Sequence, residues 1–240
     1  LILFLNLFIL NLSILIMLIL GIDDAGRGPV IGPMVLAGVL IKKDTEKEFQ
    51  KLGVKDSKML SPKRRNILSE EIKKLCLAHH IVKVSVDEID NKVGDKLNLN
   101  QREAVAAAQI INKLNKSQKS KEMIHVIIDA PSVNAAAWKE YLEQFIIAKT
   151  NLHISCEHKA DVNYLSVGAA SILAKVERDD EIEKIKEVVK EDFGSGYSAD
   201  PITRKFLYEN YEKFKNKGIF RESWSTVKNM KSSKVQKKLF

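Results

Sequence analysis

Gly21-Ile22-Asp23-Asp24-Ala25-Gly26-Arg27-Gly28-Pro29-Val30-Ile31-Gly32-Pro33 sets two carboxylates where an apolar run ends and follows them with a turn rich in glycine and proline. Leu18 to Ile22 is short enough for a buried strand, and the glycines beyond it allow backbone to approach a ligand closely. Two acids where a buried strand runs out suggest a cation. An isolated Asp-Asp pair is better explained by a solvated or backbone-capping loop, so the case depends on what accompanies it further along.

Working outward, Met34 to Ile41 reads as a second apolar strand, which makes a hairpin with the Gly/Pro segment at its tip. Residues 44–53 suit a short helix, and Lys55-Asp56-Ser57-Lys58 forms a polar loop. Ser61-Pro62 opens a helix to about Leu77, with Ile67, Ile72 and Leu75 as its predicted apolar face. His80 to Val86 alternates as a strand, and Leu99 to Leu114 reads as an alanine-rich helix. Ile124 to Ile128 is a compact apolar strand with Asp129 at its end, stopped by Ala130-Pro131. A helix over Asn134 to Ala148 and a strand over Leu152 to Cys156 follow. A long helix is then predicted from about Val162 to Lys190. Gly168, Ala169, Ala170 and Ala174 would let it lie flat on a sheet, and Asp161 stands at its N-terminus, a natural capping position. Short helices are expected after Phe193. Arg204 to Phe240 holds eleven Lys or Arg against three Glu. The order implies a compact α/β domain with a helical C-terminal appendage.

A chain of 240 residues with 45% hydrophobic and 29% charged residues buries its own core as a globular protein. Its net charge of +8 favours anionic partners such as nucleic acid. Two separated cysteines, Cys76 and Cys156, exclude a disulfide framework or zinc site and suit a reducing, cytoplasmic setting. Residues 1–20 carry no charge. If Leu18 to Ile22 is a strand, about 17 residues remain, reaching roughly 25 Å as a helix against a hydrocarbon core of ~30 Å. No basic n-region or small-residue cleavage site marks a signal peptide. Met17 is therefore read as the natural start and residues 1–16 as a non-native extension, with no stable membrane association expected.

Asp23, Asp24, Asp129 and Asp161 all fall at predicted element ends, where ligand sites of open sheets form. Four carboxylates held together need cations, and hard oxygen donors choose Mg²⁺ or Mn²⁺. Two such ions suit phosphodiester hydrolysis. Helix capping is a strong alternative for Asp161, whereas Asp129, after an apolar run, is hardest to explain structurally. His158 is better read as structural, and His79, His80, His125 and His153 as scaffold.

The strings GIDDAGRGPVIGP (21–33), KDSK (55–58), IDA (128–130), HKAD (158–161) with AASILAKVERD (169–179), and GSGYSADP (194–201) together resemble ribonuclease HII, most closely its archaeal-type branch. They occur in family order from Gly21 to about Trp224. The resemblance implies a ribonuclease H-like mixed sheet flanked by helices, with a leader over 1–16, a catalytic domain over 17–192 and a basic substrate-binding region over 193–240. It implies that Asp23, Asp24, Asp129 and Asp161 bind the catalytic Mg²⁺ or Mn²⁺. Gly26, Arg27 and Gly28 would read the 2′-hydroxyl of a ribonucleotide, Tyr197 would stack on the neighbouring sugar, and Lys58 and Ser57 would contact phosphate. The implied substrates are RNA–DNA hybrids and duplex DNA with embedded ribonucleotides, cleaved by a monomer to 5′-phosphate and 3′-hydroxyl ends. Gln236, Leu239 and Phe240 match a sliding-clamp segment too poorly to predict that partner. The family has Glu where this chain has Asp24. The shorter arm raises a rival reading, a weakened hybrid-binding module.

Overall fold

The computed structural model describes residues 18–54, 60–118 and 122–236. Residues 1–17, including the predicted extension, and the KDSK loop with Ser57 and Lys58 lie outside the described residues. Among the described residues, no helix is long and apolar enough to cross a membrane.

β1 (Leu18–Ala25) and β2 (Met34–Lys42) form the expected antiparallel hairpin, with Leu18 opposite Lys42 and Ala25 opposite Val35. β1 runs three residues further than its apolar run, so both acids lie within the strand rather than after it. β3 (Ala78–Val84) adds antiparallel to β2, while β4 (Ile124–Asp129) and β5 (Leu152–Glu157) add parallel on the other side of β1. The resulting mixed sheet has the order β3-β2-β1-β4-β5, with the acidic strand at its centre. This is the predicted ribonuclease H-like class.

Helices cover both faces. On one face, Leu18, Leu20 and Ile22 pack with α4 (Leu99–Ser117) and α5 (Ala135–Glu143). On the other, Ile19 and Ala25 pack with α1 (Thr45–Leu52), α2 (Pro62–Leu75) and α7 (Leu165–Val189). A third core joins the far half of α7 to α8 (Pro201–Phe214), α9 (Ser225–Gln236) and the turn residues Val30 and Ile31.

The small-residue helix lies where expected. At Gly21 an added Cβ would stand 2.2 Å from the backbone carbon of Ser166, so α7 and β1 touch backbone to backbone. Gly168 instead makes room for the carbonyls of Asp161 and Val54. The predicted single helix from Val162 is interrupted: α6 (Ala160–Asn163) ends at Tyr164, which is extended, and α7 then begins. The apolar face of α2 also differs, because Leu68 and Ile72 are buried while Ile67 and Leu75 are exposed. β3 starts and ends two residues earlier than expected, since Ser85 and Glu88 form a capping box that starts the short helix α3 (Val86–Ile89). α5 stops at Glu143 rather than Ala148. Asn112 and Asn115 on α4 hydrogen-bond the backbone of Phe145, Ile147 and Ala148 and hold that segment out of the helix.

Candidate active site

Side chains alternate across a strand. Asp23 is in phase with Ile19 and faces α7, whereas Asp24 is in phase with Ile22 and faces α4. Asp129 is in phase with Ile127, on the same face as Asp23, and the β1/β4 register sets Ile22 beside Ile128. The parallel pairing thus brings Asp23 and Asp129 side by side from residues about a hundred apart in sequence.

Asp23 is buried. Burial pushes its carboxyl well above the usual range, and the charges of Asp24 and Asp129 push the same way. What holds it down are hydrogen bonds, from the Ser171 hydroxyl on α7 and from the Asp24 N–H at 2.8 Å. Asp129 accepts a 2.7 Å bond from the Ala160 N–H at the start of α6, and the next residue is Asp161, also buried. Asp161 makes no side-chain cap, because Lys159 in the left-handed conformation starts α6 instead. Among the described residues, no group of three or more His, Cys, Asp or Glu side chains is gathered closely enough to hold one metal ion. Repulsion between buried carboxylates favours such spreading. The donor set still fits a hard divalent cation, since oxygen ligands that repel one another gain most from a positive charge among them.

Asp24 sits at about 6, raised by burial and by Asp129 and held back by Arg27, Lys175 and Arg221. Its ionisation therefore opposes folding. The stability its neutral form contributes is complete below the unfolded value near 4 and is lost as pH rises through about 6, costing up to about 3 kcal/mol. In EDTA, wild-type protein should unfold at a lower temperature at about pH 7.5 than at about pH 5. Asp24→Asn should flatten that difference by several degrees. Thermal unfolding of both proteins at both pH values checks this, and parallel pH profiles would contradict it.

Asp24 leads into a cleft of about 300 Å³ lined by Gly26, Arg27, Gly28, Arg65, Lys175, Arg178 and Tyr197. Gly26 has φ +84°, which glycine adopts readily, and a Cβ there would meet the Pro33 carbonyl at 2.9 Å. A Cβ on Gly28 would lie 3.5 Å from the Tyr197 ring, so the tyrosine packs directly beside the turn on the wall of the cleft. Arg178 lies 5.4 Å from the Tyr197 ring centroid and donates to the Ser195 carbonyl at 2.7 Å, which props the 194–201 loop. The Arg27 side chain turns away from this wall and pairs with buried Glu103 and with Asn100 on α4.

The structure thus brings Asp23, Asp24 and Asp129 into electrostatic range and sets Asp24, Gly26, Arg27, Gly28 and Tyr197 around one cleft. His158 is exposed on the turn before α6. Several cleft residues carry no sequence signal of their own. Lys175, Arg178 and Ser171 fall within the AASILAKVERD string, but their residue types do not single them out: Lys175, Arg178 and Arg65 are three of 39 basic residues, and Ser171 is one of two serines on α7. Glu103 had one: an acid among alanines on the buried face of α4.

A ribonuclease HII family model matches residues 20–227. The ribonuclease HII of Methanobrevibacter smithii is 42% identical over 217 residues, which span 90% of this chain and 99% of that one. The crystal structure of ribonuclease H2 from Pyrococcus horikoshii matches with a TM-score of 0.79 at 34% identity, covering 90% of this chain and 98% of that one. The RNase HII of Archaeoglobus fulgidus, solved in complex with PCNA, matches with a TM-score of 0.74 at 41% identity, covering 87% and 95%. This chain therefore belongs to the ribonuclease HII family, endoribonucleases that hydrolyse RNA in RNA–DNA hybrids.

Proposed function

We propose that the chain also nicks duplex DNA on the 5′ side of embedded ribonucleotides, with Asp23, Asp24, Asp129 and Asp161 holding Mg²⁺ or Mn²⁺. The observation that carries this reading is the glycine turn with Tyr197 packed beside it, both lining a cleft that opens from Asp24. The 2′-hydroxyl distinguishes RNA from DNA, and a turn without side chains at positions 26 and 28 brings amides within reach of it. Tyr197, beside Gly28, would stack on the neighbouring sugar. Lys175, Arg65 and Arg178 supply positive charge for the phosphates, Lys58 of the KDSK loop adds to it, and Ser57 contributes a hydroxyl donor. Asp23, Asp24, Asp129 and Asp161 would hold the divalent cations, which when bound would activate water and stabilise the departing oxygen so that 5′-phosphate and 3′-hydroxyl ends are left. In this reading residues 17–192 form the catalytic part and 193–240 the substrate-binding region of a monomer. A PCNA partner is supported only by the Archaeoglobus relative.

A duplex containing a single ribonucleotide tests the proposal. Nicking 5′ of that residue with Mg²⁺, lost in EDTA, is the expected result. Binding without nicking would favour the rival, a hybrid-binding module weakened at Asp24. Because Asp24 faces away from Asp23, a longer arm should reach the shared ions better. Asp24→Glu is expected to raise the Mg²⁺-supported rate by about tenfold and the Mn²⁺-supported rate by less. Equal rates for the two proteins in both metals would remove the idea that the shorter side chain matters.

A further inference from the structure

We infer that Arg221 and Trp224 are positioning residues that set the amides of the Gly26-Arg27-Gly28 turn. The inference rests on the reading of that turn as the 2′-hydroxyl reader. Arg221 is completely buried, and its guanidinium is spent on the backbone of the turn. Nε donates to the Gly32 carbonyl at 2.9 Å, Nη1 to the Arg27 carbonyl at 2.8 Å and Nη2 to the Gly26 carbonyl at 2.6 Å. Its own N–H donates to the Val30 carbonyl at 2.9 Å. Trp224 lies under the guanidinium at 5.0 Å and donates from Nε1 to the Gly28 carbonyl at 3.2 Å.

These bonds bear on the turn's donors through the planarity of the peptide. In a trans peptide the carbonyl of one residue and the N–H of the next point in opposite directions. Holding the Gly26 and Arg27 carbonyls toward Arg221 aims the N–H groups of Arg27 and Gly28 the other way. Pro29 has no N–H, so Arg27 and Gly28 supply the outward amides of this stretch. Only an arginine offers a planar fork able to reach three carbonyls together. The clamp is itself anchored: Asp90 accepts from the N–H of Glu222 at 2.7 Å and of Ser223 at 3.1 Å, on the two residues between Arg221 and Trp224.

The test compares dissociation constants, in EDTA, for a DNA duplex with one ribonucleotide and for the same duplex entirely of DNA. A merely structural role would lower the folded fraction and scale both constants alike, leaving their ratio unchanged. Wild-type protein should prefer the ribonucleotide. Arg221→Lys, which keeps the charge and loses the fork, should cut that preference about tenfold. Trp224→Phe, which keeps the ring and loses Nε1–H, should cut it about threefold and serves if the arginine variant fails to fold. A wild-type preference retained by the folded variants would overturn the inference alone. No preference in the wild type would overturn the reading of the turn, and the inference with it.

Discussion

Asp129→Asn should abolish hydrolysis, lowering the rate by ~10³-fold or more, while the metal-free protein becomes no less stable. The substitution is nearly isosteric. An asparagine carbonyl can accept the same 2.7 Å bond from the Ala160 N–H, so the junction between β4 and α6 survives. What disappears is one negative charge beside Asp23 and Asp24, both of which Asp129 pushes upward. Relief of that repulsion favours the folded state at neutral pH, because fewer like charges are then buried together. The two effects have opposite signs, which separates loss of chemistry from loss of structure. Nicking rates on a single-ribonucleotide duplex, alongside thermal unfolding in EDTA at about pH 7.5, measure both. A rate within tenfold of wild type would remove Asp129 from the chemistry, and a fall in melting temperature would assign the lost rate to unfolding.

Gly21→Ala should be the most damaging single methyl group in the sheet. The added carbon would stand 2.2 Å from the Ser166 carbon, 2.4 Å from the Ser166 oxygen and 2.4 Å from the Val167 nitrogen. All three are helix backbone, which has no rotamer to change, so β1 and α7 must separate. That gap would open cavities along Val167, Ala169, Ala170 and Ala174. A cost of at least about 3 kcal/mol is expected, seen as a drop of roughly 6–12 °C in melting temperature. Gly38→Ala provides the comparison. Its Cβ would lie 2.3 Å from Cγ2 of the Ile110 side chain, which yields only through a stiff χ1 or a small shift of α4, so a loss of about 2 kcal/mol, still below that of Gly21→Ala, is expected. Comparable melting temperatures for the two variants would refute the role assigned to backbone contact.

Much of the fold was legible because the strands are short apolar runs ended by acids or turn residues. β1, β2 and β4 carry that mark, and β5 shows instead as alternation of apolar and polar residues. Misreadings arose where a distant partner decides. The break at Tyr164 leaves no trace in a run of small and apolar residues. The Tyr164 hydroxyl reaches the Glu157 carboxylate at 3.0 Å, a contact visible only once β5 and α6 are placed. In α2, Ile67 and Leu68 are equally apolar, and only packing beneath the sheet selects Leu68. The site divides the same way. Asp23, Asp24 and Asp129 stand at or near strand ends and Asp161 at a helix start, where the pattern shows them, whereas Ser171 and Lys175, though inside the AASILAKVERD string, and Arg65 and Arg221 carry no mark of the cleft in their own residue type.

The clamp on the glycine turn also has a consequence in time. As the chain leaves the ribosome, β1 pairs with β2 almost at once, but the carbonyls of Gly26, Arg27 and Gly32 wait for a guanidinium made 189 to 195 residues later. Contacts of such separation close late, after the loop entropy between them has been overcome. A nascent chain therefore carries its central acids long before the turn beside them is fixed, and a residue synthesised nearly two hundred positions later completes that turn.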